Sequence, residues 1–119
     1  WARWCPPCLA EMEPLKQLRS KFSTDDLIIY SICVSEPKEQ WEECLNEYSL
    51  RNRGIECVHV TDYLGIDNYQ KIRKQWKIDR MPYYILINRQ GQIIDFGTAA
   101  RPSNPQLVSR IEEAVKDTK

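Results

Sequence analysis

The run Leu27 to Val34 (LIIYSICV) is almost continuously apolar, and it constrains the fold more than any other segment. A strand buried on both faces reads this way, whereas a half-exposed strand alternates apolar and polar residues. Such a strand needs partners on both edges and helices above and below it. The flanking segments supply the helices. Residues 9–22 carry Leu9, Met12, Leu15, Leu18 and Phe22 at helical spacing, and Trp41, Cys44, Leu45 and Tyr48 repeat that stripe after Ser35-Glu36-Pro37. A short strand is predicted at Ile55 to Val60, and a third helix over 67–76 with Tyr69, Ile72 and Trp76 on one side. Tyr83 to Asn88 and Ile93 to Phe96 flank Arg-Gln-Gly-Gln, a turn short enough to make an antiparallel hairpin. A last helix, capped by Asn104 or Ser103, faces Leu107, Val108, Ile111, Ala114 and Val115 inward. The order predicts a mixed α/β fold with helices on both sheet faces, one domain over 1–119.

Composition narrows the function. Seventeen basic residues balance seventeen acidic ones, so nothing points to nucleic acid or an anionic membrane surface. No apolar run is long enough to span a bilayer, so no membrane contact is expected within this chain. Five cysteines is an odd number, and a chain 42% hydrophobic has no need of a disulfide framework. Only Cys5 and Cys8 are closely spaced; with one histidine, His59, and no second such pair, the four ligands of a structural zinc site are lacking. Redox chemistry is the better reading, with the Cys5–Cys8 disulfide in place of a cofactor or metal.

The chemistry sits in Trp4-Cys-Pro-Pro-Cys8. A cysteine attacks as thiolate, and a helix N-terminus lowers the cost of that charge. Cys5 stands where the helix begins, and Pro6 and Pro7 suit its first turn, although they remove two N–H donors that could face the thiolate. Cys8, one turn on, can close a disulfide with Cys5. Pro14, inside the helical stretch, is expected to kink it. Glu11 lies in the sector of Leu15, Leu18 and Phe22, one turn beyond Cys8. It can be a proton acceptor for Cys8, its carboxyl raised by burial, or a glutamate at the edge of the stripe reaching solvent. Met81-Pro82 precedes a buried strand, and the general rarity of cis proline favours a trans bond there. Cys33, Cys44 and Cys57 read as core residues, ahead of a Cys33–Cys57 disulfide.

Taken together, Trp1-Ala-Arg-Trp-Cys-Pro-Pro-Cys, Leu9-Ala-Glu-Met, Met81-Pro82 and the Asn88-Arg-Gln-Gly hairpin resemble the thioredoxin superfamily, most closely its bacterial TlpA/ResA-like branch. The extra helix and strand at 37–60 are typical of that branch. The resemblance implies a thioredoxin-like fold and a thiol–disulfide oxidoreductase that reduces protein disulfides in the cell envelope or periplasm. It implies that Cys5 is the exposed nucleophile, Cys8 the buried resolving thiol and Glu11 the active-site acid. It further implies that Trp4 flanks the nucleophile and that a cis Met81-Pro82 bond packs against the Cys-x-x-Cys, presenting Met81 backbone groups to substrate. The partners so implied are protein disulfide substrates and an upstream redox donor. A nucleoredoxin or tryparedoxin-like protein shares Trp-Cys-Pro-Pro-Cys, and a non-catalytic binding module is the alternative from another class. A peroxiredoxin is not expected, since its Thr-x-x-Cys setting is absent.

Two departures stand out. The family's helix proline usually falls at the position of Glu13, and here it is Pro14. The family fold also runs a strand directly into the Trp-Cys motif, between the strands at 27–34 and 83–88, and only Trp1-Ala-Arg stands there. An N-terminally truncated domain is therefore expected, with a possible upstream anchor or domain, or a dimer supplying the strand in trans.

Overall fold

The computed structural model describes residues 1–34, 37–59 and 65–117, with the side chains of 59, 65–69 and 72 outside the description. Five helical segments and four strands follow in the order α1 (Pro6–Ala10), α2 (Met12–Lys21), β1 (Ile29–Cys33), α3 (Lys38–Glu47), β2 (Ile55–His59), α4 (Gly65–Trp76), β3 (Tyr84–Ile87), β4 (Ile93–Gly97) and α5 (Pro105–Lys116). All of the expected strands and helices that lie within the described residues are present. Ser35 and Glu36, expected to begin α3, and Val60, expected to end β2, lie outside the described residues.

The strands form two separate pairs. β1 and β2 run parallel, with Ile29 opposite Ile55 and Cys33 opposite His59. β3 and β4 form the expected antiparallel hairpin, with Ile85 opposite Phe96. Its turn closes on Asn88, whose side-chain carbonyl accepts from the N–H groups of Gln90 (3.0 Å) and Gln92 (2.9 Å), while Gly91 takes a positive φ of 81°. Among the described residues β1 and β3 do not pair with each other. Trp1 pairs with the β1 edge. Its N donates to Ile32 O (2.7 Å) and its O accepts from Val34 N (2.8 Å), the slanted pattern of a parallel ladder.

One face of both pairs is packed. Leu18 of α2 meets Ala100, Leu107 and Ile111, joined by Leu27, Tyr84 and Leu86. Met12 meets Leu45 and Leu50, joined by Trp1, Leu15, Trp41 and Cys57. α2 thus bridges the two strand pairs. The opposite face differs from the expectation for Leu27 to Val34: Ile28, Tyr30 and Ile32 point away from α2, and Tyr30 is 67% exposed. Ile87, Ile93 and Phe96 are likewise exposed on the outer face of the hairpin. The apolar run is buried on one face only among the described residues, where Ser31 and Cys33 point inward. Trp76 is also exposed; the side chains of Tyr69 and Ile72, expected beside it, lie outside the description.

The expected single helix over 9–22 is two. Pro14 has no N–H to donate to the Ala10 carbonyl, and its ring crowds that carbonyl. The break falls upstream of the proline, at Glu11, which ends α1 and begins α2 with φ −90° and ψ 0°. Pro14 then sits in the first turn of α2, where a missing N–H costs nothing. The proline acts as expected, displaced by three residues to Glu11.

Candidate active site: the Cys5–Cys8 disulfide

Cys5 caps α1, and its carbonyl accepts from Cys8 N (3.0 Å) and Leu9 N (3.1 Å). The helix places Cys8 one turn on, and the two are joined by a disulfide with Cα atoms 5.3 Å apart. Contrary to the expectation of an exposed nucleophile, both residues are buried: Cys5 is 4% exposed and Cys8 2%. Ala2, Trp1 and Met81 close over them. Trp4 beside Cys5 is instead 58% exposed, and Pro6 and Pro7 are exposed at the first two helical positions.

The helix offers Cys5 less than expected. α1 has five residues, so its dipole is short. Pro6 and Pro7 carry no N–H, and the next two N–H groups are spent on the Cys5 carbonyl. None of these four positions has a donor left for a Cys5 thiolate.

The Met81-Pro82 bond is cis, as the resemblance implied and against the general preference for trans. Met81 packs on the disulfide and Pro82 is buried. Two contacts that the sequence did not reveal set this loop. Thr98 Oγ1 at the end of β4 donates to Pro82 O (2.9 Å). On the other side, Lys77 takes a positive φ of 55°, Ile78 N donates to Arg73 O (2.9 Å), and the Arg73 side chain donates back to the carbonyls of Ile78 and Asp79. The helix end and the hairpin therefore hold the loop from both flanks.

Glu11 turns towards α5. Its Oε1 accepts from Ser103 N (2.9 Å) and its Oε2 from Ser103 Oγ (2.8 Å). Of the two residues that could cap α5, Asn104 does so, its side chain accepting from Gln106 N (3.1 Å), which leaves Ser103 for Glu11. Tyr84 of β3 stands within electrostatic reach. Burial pushes its phenol above the ordinary value of 10.0, the Glu11 charge adds to the rise, and Arg101 opposes it. A phenol protonated more firmly in the folded chain stabilises it fully below the ordinary value, and that contribution is lost as pH rises through the folded value. The thermal midpoint should fall as pH is raised past about 10, and Tyr84→Phe should flatten the fall. An identical alkaline profile in Tyr84→Phe would show that another group is responsible.

The remaining cysteines form no disulfide. Cys33 and Cys44 are buried and Cys57 half-buried, its thiol donating to Leu50 O (3.5 Å) and held above its usual pKa by burial. The His59 side chain lies outside the described residues. Among the described residues no group of His, Cys, Asp and Glu side chains could hold a metal ion. No helix among them is long and apolar enough to cross a membrane.

A Cys-x-x-Cys disulfide at a helix start, covered by a cis-proline loop and flanked by strands on this plan, defines a thioredoxin-like protein. Residues 1–115 match the Redoxin family model, and the chain belongs to that family. It is 24% identical over 116 residues to thiol-disulfide oxidoreductase ResA of Halalkalibacterium halodurans, a match covering 98% of this chain and 59% of that protein. The ResA of Geobacillus thermodenitrificans is 24% identical over 114 residues, covering 94% and 60%. The chain thus spans about three fifths of the length of these curated relatives. A solution structure assigned to a thiol-disulfide oxidoreductase from Bacteroides vulgatus superposes with a TM-score of 0.75 at 28% identity, covering 98% of this chain and 70% of the other. That of a thiol:disulfide interchange protein from Bacteroides sp. gives a TM-score of 0.73 at 20% identity, covering 100% and 71%, and supports the thioredoxin-like fold alone. The TlpA/ResA-like resemblance read from the motifs is therefore borne out.

Proposed function

We propose that this chain is the working part of a thiol–disulfide oxidoreductase that reduces protein disulfides in the bacterial cell envelope. The observation that carries the reading is the Cys5–Cys8 disulfide packed under Met81 of the cis-proline loop. In the reduced protein the Cys5 thiolate attacks one sulfur of a substrate disulfide, and the other leaves as a thiolate that takes up a proton. Cys8 then gives its proton to Glu11 and attacks Cys5 Sγ. The second substrate thiol is released, two electrons have passed to the substrate, and the disulfide seen here remains. Met81 and Pro82 would hold the substrate backbone in extended form beside Trp4, Pro6 and Pro7. An upstream donor would then return the Cys5–Cys8 pair to the dithiol.

The direction follows from how little the helix does for the thiolate. A strongly oxidising pair is one whose reduced form is stabilised. Here Pro6, Pro7 and the spent N–H groups of Cys8 and Leu9 leave the Cys5 thiolate without that support. The couple should sit nearer the reducing end of the range for this fold, at or below about −230 mV. Equilibration of the full chain with glutathione buffers measures it, together with turnover in insulin reduction. A potential near −120 mV, the value for a strong oxidant, would reverse the proposed direction. No insulin turnover at all would favour a non-catalytic binding module.

The open edges of β1 and β3 carry a second part of the proposal. Unpaired strand edges with an exposed apolar face are costly and prone to association. A strand leading into Trp1, continuing its bonds to Ile32 and Val34, would pair with both. We assign that strand to residues of the natural protein preceding this stretch, in keeping with the greater length of its relatives. A chain extended upstream should be monomeric and gain stability. A stable dimer of the extended chain would place the strand in trans instead.

A further inference from the structure

We propose that Ser103 is a positioning residue for Glu11, holding the carboxylate beside Cys8 for the resolving step. The inference rests on the reading of Glu11 as the proton acceptor and extends it to the element that sets its place. Both carboxylate oxygens are engaged by one residue, Oε1 by the Ser103 N–H and Oε2 by its hydroxyl. Two donors from one rigid group fix the plane of the carboxylate as well as its position. A carboxylate has about four acceptor sites, so two remain for the Cys8 proton.

The serine itself is fixed. Asn104 N donates to Arg101 O (2.9 Å), and the Asn104 side-chain amide donates to Ala99 O (2.8 Å). Pro102 is buried, and Pro105 opens α5. The loop 101–104 is thus tied to the start of α5, and α5 packs through Leu107 and Ile111 on Leu18 of α2. Glu11, at the junction of α1 and α2, has few local restraints because its backbone belongs fully to neither helix. Its side chain is restrained from α5, 92 residues away in sequence.

Tyr84 of β3 interacts electrostatically both with Glu11 and with Arg101 of the loop before α5, and the Glu11 N–H donates to Cys8 O (3.1 Å). The interaction of Glu11 with Tyr84 is unfavourable to a second negative charge there. Ser103 also lines a groove between α2 and α5 with Pro14, Gln17, Lys21 and Val108.

The test uses the full chain in its reduced form. In a Cys5→Ser background, iodoacetamide alkylation of Cys8 is followed against pH by mass spectrometry. Glu11→Gln should shift that profile, Ser103→Ala should move it a large part of the same way, and Ser103→Thr should restore it. With both active-site cysteines present, Ser103→Ala should slow resolution of the mixed disulfide by about tenfold or more, the scale of a lost hydrogen bond to a charged group. Ser103 is exposed and Asn104 supplies the α5 cap, so a merely structural role predicts no change in the Cys8 profile. A Ser103→Ala profile superimposed on the parent while Glu11→Gln still shifts would overturn the role of Ser103 and leave that of Glu11. A Glu11→Gln profile superimposed on the parent would overturn both.

Discussion

Cys5→Ser should abolish disulfide reduction by at least about a thousandfold, the scale seen when a nucleophile is removed from a catalytic unit. Cys8→Ser should behave differently, retaining the first attack and accumulating a mixed disulfide with substrate. The asymmetry does not come from exposure, since both cysteines are buried in the disulfide state. It comes from placement. Cys5 precedes α1 and stands next to exposed Trp4, on the side where the proposed extended substrate would lie. Cys8 lies inside the first turn, with Glu11 bonding back to its carbonyl (3.1 Å). A serine hydroxyl at residue 5 cannot substitute, because its proton is held far more tightly than that of a thiol. Insulin reduction gives the turnover, and non-reducing electrophoresis with mass spectrometry identifies the trapped adduct. Turnover persisting in Cys5→Ser, with the adduct forming on Cys8, would exchange the two roles.

Much of this site is legible in the sequence because it is local. The Cys5–Cys8 spacing, the helix start at Pro6 and the hairpin around Gly91 each depend on neighbours within a few residues. The cis bond at Pro82 is not local: propensity favours trans, and the resemblance alone pointed to cis. The clamp on Glu11 was invisible because its donor lies at Ser103, a residue whose local pattern reads as a helix cap. Asn104 and Ser103 are equivalent cap candidates in sequence, and only tertiary packing divides the work between them. The break at Glu11 was misplaced to Pro14 for a related reason, since a proline disturbs the turn before it. Leu27 to Val34 suggested cover on both faces, and among the described residues Ile28, Tyr30 and Ile32 are exposed.

Arg19→Met should be strongly destabilising, although Arg19 stands in no motif. Arg19 lies on α2 next to Leu18 and is 7% exposed, an unusual place for a guanidinium. Its partners are carbonyls. One terminal nitrogen donates to Phe22 O (2.7 Å) and Ser23 O (2.8 Å), and the other to Leu27 O and, more weakly, Gly54 O (3.5 Å). These are the end of α2, the entrance to β1 and the turn before β2, so one side chain ties together three chain segments. The close approach explains Gly54: with φ of 87°, a Cβ there would stand 3.0 Å from the Arg19 guanidinium and from the Thr24 methyl. Methionine keeps most of the aliphatic volume but removes the donor from Phe22 O and Leu27 O, whereas Ser23 O and Gly54 O keep backbone donors in Asp26, Leu27 and Ile29. Each unsatisfied buried group costs about 1–3 kcal/mol, and water reaching some of them keeps the total near about 3 kcal/mol. For a domain of this size that is a fall in thermal midpoint of roughly 10 °C. Lysine, a single point donor in place of a planar fork, should recover only part of the loss. Calorimetry of the two variants separates the contributions: equal destabilisation by Met and Lys would mean that the fork geometry carries the effect, and no destabilisation by Met would remove Arg19 from the folding argument altogether.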